Sequence, residues 1–245
     1  MYLLLLLIFG EIIREFFIFM ITACSKIVYK IYDFCSGLIY PNFCFYCKDF
    51  LQDKSIFCES CKDKIKPVVT TNLEVTNKYK VKVFSISEYK YPVKSLVLAK
   101  GGSDIVASRK LGELAWEMTY IKNVDFDFIV PIPLHWKRYA ERGFNQAQEM
   151  ANIISKNSGK PVVNLLKRVK STQRQSELSP VGRALNVHDA FFLNLKQELK
   201  KNYECKKILI VDDLLTTGST IKFATKVLIE LKPESFTAIV ACRVI

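Results

Sequence analysis

The segment that most limits what this chain can fold into is I-L-I-V-D-D-L-L-T-T-G-S-T, from Ile208 to Thr220. Four consecutive β-formers, Ile208 to Val211, read as a strand buried on both faces, the pattern of a central strand in a parallel sheet. Two adjacent carboxylates, Asp212 and Asp213, stand at its carboxyl end, where an open parallel sheet offers a ligand crevice. Thr216, Thr217, Gly218, Ser219 and Thr220 then make a small, hydroxyl-rich turn that feeds a helix predicted over Ser219 to Leu231. The free N–H groups of a helix start, the hydroxyls and the helix dipole all favour a bound phosphate, and Gly218 lets the backbone close around it. A phosphate cradle two residues from an acidic pair suits a sugar phosphate, with the phosphate in the turn and the sugar hydroxyls on the aspartates. The chain contains neither G-x-x-x-x-G-K-[ST] nor G-x-G-x-x-G, so the common nucleotide-binding loops are excluded.

The rest of the pattern agrees with an α/β fold. Strands are predicted over Lys80 to Ser87, Phe126 to Pro133, Pro161 to Leu166, Lys207 to Val211 and Phe236 to Val244. Helices are predicted over Tyr91 to Ala99, residues 108 to 121 and Glu141 to Ser155. This alternation implies a mostly parallel central sheet with flanking helices. V-V-T-T-N-L-E-V-T-N-K, after Pro67, reads as a connector with some strand character. Lys167 to Val187 has little apolar periodicity and is predicted to be a long mobile loop or hairpin, a length that is more often functional than not. The 245 residues accommodate one α/β domain of roughly 150 to 170 residues plus a small module. Half of the residues are apolar, too many for a disordered chain. The formal net charge of +12 points to an anionic partner: nucleic acid, an anionic membrane surface or a polyphosphorylated small molecule.

Four of the eight cysteines form two pairs, Cys44, Cys47, Cys58 and Cys61, in the spacing C-x2-C-x10-C-x2-C. Two thiolate pairs on facing knuckles give tetrahedral zinc with four sulfurs, and metal binding supplies folding energy that so short a segment lacks as a core. Disulfides, an empty thiol cluster and an iron-sulfur centre are the alternatives. Phe43, Phe45 and Tyr46 lie near Lys48, Lys54, Lys62 and Lys64; core packing is the expected role of these aromatics, stacking on single-stranded bases the other. His135 and His188 have no metal-spaced neighbour, and Trp116 and Trp136 are expected to be packing anchors.

The Ile208 to Thr220 segment resembles the phosphoribosyl-diphosphate (PRPP) motif of the phosphoribosyltransferases. V-P-I-P-L-H-W-K-R-Y-A-E-R-G-F-N-Q-A-Q-E-M-A, Val130 to Ala151, and T-Q-R-Q-S-E-L-S-P-V-G-R-A-L-N-V-H-D-A-F, Thr172 to Phe191, are similar to segments of the ComF family of competence-associated phosphoribosyltransferase-like proteins. The resemblance, with the cysteine module, extends over residues 35 to 245. It implies a type I phosphoribosyltransferase-like fold, over residues 80 to 245, behind a four-cysteine zinc ribbon at residues 41 to 66. It further implies that Asp212 and Asp213 hold the ribose hydroxyls, partly through magnesium, which favours oxygen ligands shared between carboxylates and phosphates. Thr216 to Thr220 would hold the 5-phosphate. Lys100 with Gly101 and Gly102, together with Arg138 and Arg142, would neutralise the departing diphosphate. Thr172, Gln173, Arg183 and Asn186 would belong to a flexible loop closing over substrate, and Asn145 would cap a helix or touch ligand.

The function so implied is PRPP and magnesium binding linked to DNA uptake. It takes two forms: an active pentosyl transferase, or a non-catalytic PRPP sensor that contacts single-stranded DNA or competence proteins. The expected compartment is the cytoplasm. Residues 1 to 40 are read as a hydrophobic segment and a lead-in helix: Glu11, Arg14 and Glu15 break the apolar run short of the roughly 20 residues a spanning helix needs. Membrane contact by this segment and a start at Met20 are both open on the sequence.

Overall fold

The computed structural model describes residues 42–66, 68–99, 104–168 and 191–244. The expectations for residues 1 to 40, and for Lys100, Gly101, Gly102, Thr172, Gln173, Arg183 and Asn186, lie outside the described residues. The chain divides into two compact units, Met1–Cys58 and Glu59–Ile245. In the first, the turn after Cys44 is closed by Cys44 N–H to Asp49 C=O at 2.8 Å and Lys48 N–H to Cys44 C=O at 3.1 Å. Lys48 takes the left-handed conformation there, at φ 68°. Phe43 and Phe50 pair across a β-bridge with edge-to-face rings 6.3 Å apart. Both are more than half exposed, and Tyr46 is exposed as well, so core packing of Phe43 and Tyr46 is not what the fold does with them.

The second unit runs α1 (Glu59–Lys62), β1 (Val68–Glu74), β2 (Lys80–Glu88), α2 (Val93–Ala99), α3 (Ile105–Met118), β3 (Phe128–Pro131), α4 (Trp136–Arg142), α5 (Gln146–Ser158), β4 (Leu166–Arg168), β5 (Phe191–Leu193), β6 (Lys207–Leu215), α6 (Ser219–Leu228) and β7 (Ser235–Arg243). The main sheet has the order β1-β2-β7-β6-β3. Its pairings are parallel except for β1, which adds antiparallel to β2. The polar stretch after Pro67 is therefore an edge strand, a position at which only one side of the backbone is paired and a polar sequence is tolerated.

Strand side chains alternate between the two faces of the sheet. Val81, Val83, Ile208, Ile210, Ala238 and Val240 pack with Ile221, Ala224 and Leu228 of α6. The intervening Ile129, Leu209, Val211, Ile239 and Ala241 are equally buried on the other face, where α3 and α5 lie. Those two helices approach closely at Gly112, where an added Cβ would come within 2.9 Å of Ile153 Cβ and 3.0 Å of Met150 O.

Two local differences from the sequence reading bear on the site. The helix predicted over Glu141 to Ser155 is broken in two. Gly143, at φ 78°, ends α4 by donating its N–H to Tyr139 C=O, and Asn145 starts α5 by accepting from Ala147 N–H. The strand predicted from Pro161 is reduced to a parallel bridge, Ile129 with Val162, followed by β4. β4 and β5 form an antiparallel pair, Leu166 opposite Leu193 and Arg168 opposite Phe191.

Candidate functional site

The carboxyl ends of β3 and β6 lie side by side, Pro131 opposite Val211. β6 runs on past the predicted end at Val211 to Leu215, and within that stretch it presents Asp212, about nine-tenths buried, and Asp213, whose N–H donates to Asp212 Oδ1 at 2.8 Å. Gly218 then takes φ 75° at the cap position of α6, which makes no side-chain cap hydrogen bond. The Ser219 N–H donates to Thr217 Oγ1 at 3.4 Å, and a helix start leaves the N–H groups that follow without partners inside the helix. Thr217 and Ser219 share a hydroxyl hydrogen bond of 2.8 Å that closes the turn. Beyond β3, Pro133 stops the strand and α4 and α5 stand over the sheet edge. Asn145 fastens them there: its Nδ2 donates to Ile132 C=O at 2.9 Å while its Oδ1 accepts from Ala147 N–H.

Between these two walls is a cavity of about 550 Å³. One side carries Asp212, Asp213, Leu214 and Thr220; the other carries Arg138, Glu141 and Arg142 of α4, the start of α5 at Gln146, and Arg168. Of the residues expected from sequence, Asp212, Asp213, Thr220, Arg138 and Arg142 are thus brought together. Thr216, Thr217, Gly218 and Ser219 form the adjoining turn and do not line the cavity. Asn145 lines the wall, but its amide is engaged as a cap and tether. His135 is buried and caps α4, its Nδ1 accepting from Lys137 N–H at 3.3 Å. Trp136 is 65 % exposed and anchors no core.

Two cavity residues carry no distinguishing signal in the sequence. Arg168 ends β4, and its guanidinium lies 5.3 Å from the centroid of Phe191, its opposite number in the hairpin. Burial, and then the Arg138 charge, hold its pKa below the usual arginine value, while Asp212 and Asp213 act in the other direction. The Arg168 guanidinium thus feels both the Arg138 charge and the acidic pair. Nothing local sets it apart from Lys167 or Lys170, because the hairpin that aims it is a tertiary feature. Glu141 is the second. The described charges of the cavity balance, Arg138, Arg142 and Arg168 against Glu141, Asp212 and Asp213; the acidic pair stands on one wall and the arginines, with Glu141 among them, on the other, which suits a ligand with anionic groups at one end and hydroxyls or a cation at the other.

In the cysteine module, the four sulfurs of Cys44, Cys47, Cys58 and Cys61 lie within 4.8 Å of one another, Cys47 and Cys58 at 3.5 Å. A four-thiolate zinc site with Zn–S of about 2.3 Å needs sulfurs this close, so the residues fit that ion. Burial acts against the Cys44 thiolate, but backbone donors of Cys58, Cys47 and Tyr46 outweigh it, and its pKa is lowered to about 6. Cys205 and Cys242 lie outside this cluster, and Cys242 Sγ is 3.7 Å from Ser87 Oγ. Among the described residues no helix is long and apolar enough to cross a membrane.

Several known proteins are similar to this chain. The model of the phosphoribosyl transferase domain matches residues 115–245. Competence protein F of Haemophilus influenzae is 36 % identical over 107 residues, 43 % of this chain and 45 % of that protein. Competence protein ComFC of Bacillus subtilis is 36 % identical over 103 residues, 42 % of this chain and 38 % of that one. The chain spans less than half the length of these curated relatives. A glutamine PRPP amidotransferase from B. subtilis, solved with ADP and GMP, aligns at 17 % identity with a TM-score of 0.38, covering 56 % of this chain and 26 % of that one. The chain belongs to the phosphoribosyl transferase domain family, and within it to the ComF proteins.

Proposed function

We propose that the cavity binds PRPP with magnesium and that the protein transfers the phosphoribosyl group in the service of DNA uptake. The observation that carries this reading is an acidic pair facing arginines across one cavity beside a helix start. The 5-phosphate lies at the first turn of α6, against Thr216 to Thr220. The ribose hydroxyls meet Asp212 and Asp213. The diphosphate faces Arg138, Arg142 and Arg168, with Lys100 and Gly101 assigned to the same end and Thr172, Gln173 and Arg183 to the closing loop. Asp212 and Asp213, together with substrate oxygens, would hold magnesium, whose charge would neutralise that of the sugar diphosphate.

Transfer breaks the bond from ribose C1 to the diphosphate, which leaves with the electron pair; the acceptor forms the new bond at C1 and releases a proton. No protein nucleophile is needed, because a cationic ribose is stabilised by position and electrostatics. The arginines stabilise the leaving group, the aspartates hold the sugar in line, and the closed cavity keeps water from the reactive carbon. The four cysteines hold a structural zinc.

Calorimetric titration with PRPP and magnesium tests the site. The protein binds, and Asp212→Asn combined with Asp213→Asn weakens binding at least tenfold; unchanged binding by that double variant would falsify the assignment. The relatives bear names for competence and DNA utilisation rather than for a reaction, which favours a second reading, a PRPP sensor without turnover. Release of diphosphate from PRPP, assayed across bases, amines and DNA, separates the two.

A further inference from the structure

Helix α4 differs from the other described α-helices in that none of its seven residues is buried. No described strand or helix packs along it. It is held at its two ends. Before it, His135 is buried, and its Nδ1 accepts from Lys137 N–H at 3.3 Å. After it, Phe144 is buried, and the Asn145 side-chain amide donates to Ile132 C=O at 2.9 Å. Between these anchors α4 is a strap about 10 Å long, at roughly 1.5 Å per residue.

Space lies on both sides of the strap. Its inner face, with Arg138, Glu141 and Arg142, lines the cavity, while Tyr139 on its outer face lines a second hollow of about 390 Å³. The far wall of that hollow is fixed, since Glu149 of α5 is held by Arg109 of α3 at 2.7 Å. A packed element is kept in place because moving it opens voids and exposes apolar surface. α4 has no buried side chain to lose, so it can swing about the line through its anchors at little cost.

The inner face carries what would draw it inward. Arg138 and Arg142 are one helical turn apart on the same side, and the Arg168 guanidinium feels the Arg138 charge. Three guanidiniums round one space repel one another, and an anion among them turns that repulsion into attraction. Two linked phosphoryl groups offer an oxygen to each of the three. Glu141 acts in the opposite sense, because an inward swing brings it toward Asp212 and Asp213 until a cation lies among the carboxylates. The swing therefore favours a ligand that brings both a diphosphate and a cation.

We propose that α4 is a strap that swings onto the diphosphate end of PRPP and carries Arg138 and Arg142 onto its oxygens, with His135 as the positioning residue that anchors it. This rests on the PRPP reading of the cavity, and the motion is separate from the one assigned to the loop of Thr172, Gln173 and Arg183.

Amide hydrogen exchange of the full-length protein over residues 136 to 143 reads the strap. Saturating PRPP with magnesium is expected to slow exchange there at least about fivefold, and saturating ribose 5-phosphate, which lacks the diphosphate, to leave it within about twofold of the unliganded protein. Calorimetric binding of PRPP with no change at residues 136 to 143, or equal slowing by ribose 5-phosphate, overturns the strap and leaves the PRPP site standing. No binding of PRPP overturns both. His135→Ala removes the cap of α4 from outside the cavity lining. It is expected to lower PRPP affinity about fivefold with ribose 5-phosphate affinity unchanged, and His135→Asn, which can cap a helix start, restores most of the loss. An equal loss for both ligands, or native PRPP affinity in His135→Ala, overturns the positioning role.

Discussion

Gln146 shows how one side chain separates binding from stability. It is 1 % exposed at the start of α5, lines the cavity between β6 and α4, and its Nε2 has no hydrogen-bond partner among the described residues. A buried donor without a partner costs about 1–3 kcal/mol, and a hydrogen bond to a charged group returns about 1.5–3 kcal/mol. Gln146→Leu, close in volume, should therefore leave the urea midpoint unchanged or raise it, while PRPP affinity measured by calorimetry falls about tenfold or more. A variant that loses stability and keeps affinity would show the amide to be part of the scaffold. The acidic pair and Thr220 were legible in the sequence because strand, carboxylates and turn are contiguous there. Arg168 was not: its placement depends on a partner strand more than twenty residues away, and lysines of the same charge stand close by at positions 167 and 170.

At the scale of elements, the turn from β6 into α6 is fixed by two constraints on one glycine. Gly218 has φ 75°, and an added Cβ would lie 2.9 Å from Leu73 Cδ1 and 3.0 Å from Leu73 Cδ2. The left-handed conformation alone costs a residue with a Cβ about 1–2 kcal/mol. Gly218→Ala is expected to lower unfolding free energy by about that much and to weaken PRPP binding, because relaxing the turn moves the first N–H groups of α6; denaturant unfolding and calorimetry together read both effects. The break between α4 and α5 was available to sequence reasoning, since glycine as a C-cap and asparagine as an N-cap are each local signals. Apolar periodicity carried the predicted helix through them. β1 was harder, for an edge strand paired on one side need not alternate cleanly.

For the whole molecule, two units with different sources of stability should come apart under different stresses. The sheet of the second unit is held by a packed apolar core on both faces, whereas the cysteine module has few buried apolar side chains, Leu51, Ile56, Phe57 and Ile65. With zinc bound as proposed, its removal by a strong chelator should abolish the protection of residues 42 to 58 from hydrogen exchange and leave that of β6 and β7 intact. Loss of protection in both would show that the sheet also depends on the ion.

The two rims of the main sheet bear on how the protein meets others of its kind. On one side β1 is irregular, its register to β2 shifting between Val68 and Thr71. On the other, β3 is four residues long, ends in Pro131, and has the outward N–H and C=O of Ile129 already taken by Pro161 and Val163. Neither rim offers a straight row of open peptide groups to a foreign strand. Strand-to-strand addition of one copy to another at the main sheet is thereby disfavoured, so a cell can accumulate the folded protein with little risk of polymerisation through that sheet.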